Sequence, residues 1–303
     1  MKILFLGSSH FSVVVLNKMI ENGLDVCGVI TQNDKPAGRG HKLTPTEVKS
    51  FAIQKNIPVY TFDRIKKHIE EIKQIDYDLA VVASFGQILP EDFLNLKLTI
   101  NVHPSLLPKY RGASPMQSAI INGDKISGVT IMKVAKEVDS GDIIYQKEFS
   151  IEKKYYKEIE EEFGNIGGDM IKEVVLRIEN KTITFTPQDH EKAVFVQKIT
   201  KEDGEIDLNK TAFEIENQVR ALSENIGCFL RNDVILLKIG KIIDVSSEFN
   251  VEKGEVLNNK KRFILGCKNG AIEILTCQAP SGKMISGRDY LNGHNNILGE
   301  KVI

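Results

Sequence analysis

Apolar positions in the first part of the chain follow two alternating rhythms. Residues 2–6 form a short unbroken apolar run ending at Gly7, and Phe11, Val15, Leu16 and Met19 then recur at helical spacing. That pattern predicts strand, turn and helix in succession. Further strands are predicted over 26–31 after the Gly23 turn, at 59–60 behind Pro58, over 79–83 and over 98–103. Strands alternating with helical segments build βαβ units, so the expected fold class is α/β, with a Rossmann-like, open, mostly parallel sheet and helices on both faces. Sheets of this kind take ligands beyond the carboxyl ends of their strands. Three loops fall there: 7–11, 85–90 and the stretch opening at Asn101.

The texture changes after residue 185. Polar segments at 187–192 and 201–208 precede a helical stretch at 212–222. Short β-rich runs follow at 234–239, 242–245, 255–257, 263–267 and 271–276, with turns such as Lys268-Asn269-Gly270 between them. This predicts a smaller OB-like β-barrel behind a linker, with domains over 1–185 and 204–303 and the linker at 186–203.

Composition narrows the class. A chain of 303 residues with 42% apolar and 27% charged positions has material for two cores and is neither disordered nor fibrous. No apolar stretch reaches membrane-spanning length and no leader pattern opens the chain, so a cytoplasmic monomer without a membrane partner is expected. Cys27, Cys228, Cys267 and Cys277 lack C-x-x-C spacing, which gives no reason to expect zinc or any other metal. Lys and Arg number 40 against 41 acidic residues, so any nucleic-acid binding must come from a local patch. The Gly7 loop, Gly-Ser-Ser-His-Phe-Ser, lacks the second and third glycines of a dinucleotide fingerprint and reads as a tight turn.

The chemistry concentrates in 101–115, NVHPSLLPKYRGASP. Asn101 and His103 flank Val102 at the end of a predicted strand, so the two side chains share one face. An amide and an imidazole pointing into a ligand crevice suit acyl transfer, where donors aimed at the developing oxyanion contribute about 3–4 kcal/mol each. A carboxylate to orient the imidazole and help remove a proton is expected from the loop carrying Glu137, Asp139 and Asp142, and Asp139 is the candidate. Taken alone, a strand-end histidine and a loop aspartate are more often structural than catalytic.

Together these residues resemble the formyltransferase family that uses 10-formyltetrahydrofolate. Its pattern of Asn-x-His, then Ser-Leu-Leu-Pro, a short gap and Gly, with a later Asp-x-Gly loop, is matched by Asn101, His103, Ser105, Leu106, Leu107, Pro108, Gly112, Asp139 and Gly141. The resemblance implies a catalytic trio of Asn101, His103 and Asp139. It implies folate contacts from Ser105, Leu106, Leu107 and Pro108, and from a second loop carrying Phe85, Gly86, Gln87, Ile88 and Leu89. Ordinary core packing is an equal reading of Leu106 and Leu107.

Two features bear on the acceptor amine. The segment 31–45, TQNDKPAGRGHKLTP, resembles the insertion of those family members that formylate methionyl-tRNA, and implies RNA contacts from Lys35, Arg39, His41 and Lys42. Near the carboxyl end, Gly282, Lys283, Met284, Asp289 and Leu291 resemble the family's tRNA-side domain. Lys260, Lys261, Arg262, Lys268 and Lys283 are candidates for a basic face there. The implied partners are folate and initiator methionyl-tRNA. A formyl acceptor of the amino-sugar nucleotide or glycinamide ribonucleotide class, or a non-catalytic folate- or tRNA-binding module, are the alternatives. The chain departs from the family pattern at Ser8-Ser9, where Thr-Pro is usual, and at 225–229, and it has no tryptophan.

Overall fold

The computed structural model describes the whole chain except residues 38–41, 232–234, 258, 260 and 302–303. It divides into two compact units, one made of 1–115, 126–150 and 159–196, the other of 116–125, 151–158 and 197–303.

The first unit is built on seven strands: β1 (Lys2–Gly7), β2 (Asp25–Thr31), β3 (Val59–Thr61), β4 (Leu79–Ala83), β5 (Leu98–His103), β6 (Ile126–Lys133) and β7 (Ile143–Ser150). Their spatial order is β7-β6-β5-β4-β1-β2-β3. The pairs from β3 across to β5 are parallel, whereas β6 runs antiparallel to both β5 and β7. β1 lies between β2 and β4, and its last five residues are buried, which is why the sequence there is an unbroken apolar run rather than an alternation. The order reverses between β1 and β4, where Gly7 pairs with Ala83, and a crevice opens beyond the carboxyl ends at such a reversal.

Helix α1 (His10–Glu21) starts at Ser9, which forms a reciprocal capping box with Ser12, and α2 (Glu47–Gln54) is capped by Thr46. One sheet face buries Leu4, Leu6, Ile30, Val82, Phe85 and Phe93 in a single cluster. The other carries Val102 toward α3 (Tyr156–Glu179), at 24 residues the longest helix, which the apolar pattern does not predict. Gly164, Gly167 and Gly168 interrupt its helical signature, because glycine is among the poorest helix formers. Their role is close approach: a Cβ on Gly164 would lie 2.6 Å from Val14, one on Gly167 2.6 Å from Val102, and one on Gly168 2.5 Å from Lys18.

The second unit holds α4 (Ala212–Leu222), matching the predicted bounds and capped by a Thr211/Glu214 box. Its sheet comprises β8 (Cys228–Arg231), β9 (Leu236–Asp244), β10 (Ile264–Cys267), β11 (Gly270–Gln278) and β12 (Ile285–Ser286), followed by α5 (Gly287–Gly293). All pairs are antiparallel in the order β8-β9-β11-β10, with β12 against β11. The two runs expected at 234–239 and 242–245 are one strand, β9, with register shifts near Lys241; Val234 lies outside the described residues. Residues 255–257 form isolated bridges, not a strand, through Glu255 with Lys301 and Val256 with Leu265. The buried Arg220 of α4 donates to the carbonyls of Ile151 (3.4 Å) and Lys154 (2.9 Å), tying segment 151–158 into this unit. Among the described residues no helix is long and apolar enough to cross a membrane.

Candidate active site

β5 sets the first two candidate residues. Its pairing with β4 (Val82 to Asn101) and with β6 (Asn101 to Met132, His103 to Thr130) fixes the register, and period two puts Asn101 and His103 on one face while Val102 faces α3. Asn101 is half-buried, and its carboxamide has no hydrogen-bond partner among the described residues. His103 is 3% exposed. Its Nε2 lies 3.0 Å from the Tyr110 carbonyl oxygen, which can only accept, so Nε2 carries the hydrogen. Its Nδ1 faces Asp139 Oδ2 at 3.6 Å. His103 is expected to donate to an oxyanion if protonated or in the right tautomer; its Nε2 hydrogen goes to Tyr110, and its other nitrogen faces the carboxylate.

Asp139 comes from the loop between β6 and β7. It adopts a left-handed backbone conformation (φ 49°), uncommon outside glycine. The Gly112 amide donates to its Oδ2 at 2.8 Å. The two glycines of the motif are required by contact: a Cβ on Gly112 would lie 2.2 Å from the Val196 carbonyl oxygen, and one on Gly141 1.8 Å from that of Lys133.

The segment after His103 is a tight, internally satisfied turn with a cis Leu107-Pro108 peptide. Ser105 is fully buried, with its hydroxyl donating to the Lys109 carbonyl at 2.7 Å. Thr130 of β6 donates to the Ser105 carbonyl (2.6 Å) and accepts from the Leu107 amide (3.2 Å), while Gln146 of β7 donates to the Leu107 carbonyl (2.8 Å). Leu107 is 3% exposed and packs as core, whereas Leu106 and Pro108 are half-buried, with Leu106 against Gly128.

The loop after β4 is held as firmly. Phe85 is buried in the sheet cluster, and its carbonyl accepts from Ser8 Oγ (3.1 Å) and Gln32 Nε2 (2.8 Å). Gln87 donates to the Phe62 carbonyl (3.0 Å) and accepts from the Ile65 amide (3.2 Å). Gly86, at φ 75°, lets Gln32 approach where a Cβ would collide, and Leu89 packs on the cluster. Ile88 is left 84% exposed at the loop tip.

Comparison with known proteins decides the family. A formyl transferase model matches residues 1–175, and a formyl transferase C-terminal domain model matches 198–295. The methionyl-tRNA formyltransferase of Sulfurihydrogenibium sp. (strain YO3AOP1) is 38% identical over 99% of each chain. The chain belongs to the formyl transferase family. Among solved structures, the sugar 3N-formyl transferase WlaRD, crystallised in the presence of dTDP and 5-N-formyl-THF, matches with a TM-score of 0.68 at 25% identity over 90% of this chain and 96% of that one. HypX from Aquifex aeolicus, in complex with tetrahydrofolic acid, matches with a TM-score of 0.69 at 18% identity; this chain spans about half of that protein (49%) and shares its fold.

This formyl transferase therefore moves a formyl group and takes it from a folate-type donor. In the segment 31–45, Lys35–Ala37 pairs antiparallel with Lys42–Thr44. Lys35 donates to Gln32, and Asp34, the segment's one acid, is matched by Lys49 at 2.7 Å. Arg39 and His41 lie outside the described residues, as does the side chain of Lys42. In the second unit Lys283 is exposed with no ion pair among the described residues, Lys261 and Lys268 are exposed, and Lys260 lies outside them. Arg262 is not a free charge, since Glu248 (2.6 Å) and Glu273 (2.7 Å) both hold it. Two buried residues not among the sequence candidates lie next to this loop: Gln188 donates to the Asp139 carbonyl, and Arg111 donates to Gln188. Gln188 falls in a polar stretch that looks solvated, and no periodicity marks it.

Proposed function

We propose that this enzyme transfers the formyl group of 10-formyltetrahydrofolate to the α-amine of methionine esterified to initiator tRNA. The observation carrying this reading is the likeness to methionyl-tRNA formyltransferases along the entire chain, including the carboxyl-terminal 198–295. An amino-sugar acceptor has weaker support, from a structure at 25% identity against 38% for the tRNA enzyme.

The folate supplies a formyl group attached through nitrogen; binding, orientation and proton handling fall to the chain. The Asn101 amide, unpartnered among the described residues, is the donor for the negative charge that gathers on the formyl oxygen, worth about 3–4 kcal/mol for one well-placed group. His103, with its Nε2 hydrogen kept on Tyr110, offers Nδ1 as the acceptor for the proton leaving the attacking amine. Asp139, pinned by Gly112, stabilises the imidazolium that results. Esterification removes the carboxylate that favours the ammonium form of free methionine, so the charged tRNA presents more neutral amine near neutral pH. Of the two folate loops, exposed Ile88 and half-buried Leu106 have apolar surface to offer a flat heterocycle, while Phe85, Gln87 and Ser105 hold the loops in shape.

The decisive assay supplies labelled formyl-folate with charged initiator tRNA, an amino-sugar nucleotide or glycinamide ribonucleotide in parallel. Label is expected on the tRNA alone, and efficient labelling of either small acceptor would overturn the reading. Asn101→Ala, His103→Ala and Asp139→Asn are expected to retain folate binding and lose about 100-fold or more in turnover. Near-normal turnover in Asp139→Asn would remove the trio from the mechanism.

A further inference from the structure

Asp139 carries out its proposed role in a left-handed backbone conformation, φ 49°. Two hydrogen bonds reach the segment from the buried Gln188 (5% exposed), and two more hold Gln188 on the buried Arg111 (2% exposed). Gln188 Oε1 accepts from Arg111 Nε (3.1 Å) and Nη2 (2.7 Å), and Gln188 Nε2 donates to the carbonyls of Asp139 (2.9 Å) and Gly141 (2.7 Å). A guanidinium can only donate, so it fixes which end of the amide is oxygen and forces both amide hydrogens onto the two loop carbonyls. Every donor and acceptor of Gln188 is then in use.

Arg111 acts twice. Its side chain holds the Asp139 backbone through Gln188, and the next peptide, the Gly112 N–H, holds the Asp139 carboxylate at 2.8 Å. Arg111 itself is placed by its own N–H on the Val194 carbonyl (2.8 Å), by the pairing of Arg111–Gly112 with Phe195–Val196, and by the Phe195 ring 5.7 Å from its guanidinium. Among the described residues the guanidinium meets Gln188 and, at 3.2 Å, His190, and no carboxylate. Burying a cation without a counter-charge is costly, and a neutral side chain would fill the same space. What the cation adds is an amide that cannot rotate.

We infer that Gln188, locked by Arg111, is the positioning residue that sets the Asp139 carboxylate against His103. Neither touches the reacting atoms, and the inference rests on the reading of Asp139 given above. The effect is on geometry: with the two amide hydrogens gone, the 139–141 carbonyls lose their anchor and the His103 to Asp139 approach of 3.6 Å is no longer fixed.

Gln188→Glu separates positioning from packing. The carboxylate keeps the bonds from Arg111, with charge assistance, but has no hydrogen for the loop carbonyls. Turnover is expected to fall about 10-fold or more, the scale of a displacement of under about 1 Å. KM for the folate should change less than about twofold and the acid limb of the kcat profile should move; the melting temperature should fall by a few degrees, because two loop carbonyls lose their donor, so turnover is compared well below it and per folded protein. Gln188→Ala, assayed well below its melting point and normalised to folded protein, should show the same kcat loss and serves if the first variant does not fold. Turnover within about twofold of the parent and superimposable pH profiles for the folded variants would overturn the inference. Asp139→Asn is run alongside: if it stays active, the reading of the site fails; if it is inactive while the Gln188 variants are normal, only the positioning role fails.

Discussion

The Asp139 loop has almost no slack, and Gly141 shows it most directly. Lys133 donates its backbone N–H to the Asp142 carbonyl at 2.9 Å on one side of the loop, and Gln188 takes the Gly141 carbonyl on the other. A methyl group at Gly141 would lie 1.8 Å from the Lys133 carbonyl oxygen, a backbone atom that cannot rotate away. Gly141→Ala is therefore expected to cost about 1–3 kcal/mol in overpacking and to reduce turnover by shifting Asp139. Gly293→Ala, with open space around it, is the control expected to change neither. Thermal melts and kcat measured on the same preparations check this, and a Gly141→Ala protein with parental values would mean the loop is not clamped. Ser8 and Ser9 are also explained at this scale. Where the family often has Thr-Pro, Ser9 caps α1, and Ser8 reaches the Phe85 carbonyl, so the strand-to-helix turn is tied to the loop after β4 by hydroxyls.

The elements on which the site stands were legible in the sequence because each obeys one clear rhythm. β1 and β4 are buried parallel-sheet strands and read as apolar runs, β5 reads as an alternation of apolar and polar positions, and α4 carries its own capping box. Asn101 and His103 could be placed on one face for the same reason, since strand periodicity needs no tertiary information. α3 was not legible, as its three glycines serve contacts with Val14, Val102 and Lys18 that only the folded sheet supplies. Gln188 was hidden likewise, a polar residue whose burial depends on partners 47 and 49 positions away. Between elements the chain uses charge: His10 on α1 bonds Glu47 on α2 (3.1 Å) and Glu161 on α3 (2.8 Å). Partial burial opposes the charge on His10, but the Glu161 hydrogen bond, the nearby Glu160 and the Glu47 contact outweigh it, and the pKa lies above the ordinary 6.5. A raised folded-state pKa means that the bridge contributes fully below the unfolded-state value and is lost as pH rises through the folded one. His10→Gln should thus lower stability more at pH 6 than at pH 9 in urea titrations. An equal deficit at both would show that the bridge does not depend on the imidazolium.

At the scale of the whole molecule, charge is nearly balanced, with a formal net charge of −1, yet the proposed acceptor is a polyanion. Attraction must then come from cations that the protein leaves unmatched, and the structure separates these from the matched ones. Arg262 is held by Glu248 and Glu273, so its field is largely cancelled. Lys283 has no such partner among the described residues, and it lies in a stretch that resembles the tRNA-side domain. An unmatched lysine that meets a phosphate displaces condensed counterions, and each such contact adds about 0.7–0.9 to the slope of log affinity against log salt. Lys283→Gln is therefore expected to flatten the salt dependence of tRNA binding by roughly one contact. Arg262→Gln should leave that slope unchanged and show its effect in thermal stability, because two carboxylates lose their partner. Binding titrations from low to near-physiological salt, with melts of the same proteins, distinguish the two. If Arg262→Gln flattened the slope and Lys283→Gln did not, pairing would be a poor guide to which cations face the RNA, and the acceptor surface would have to be sought elsewhere.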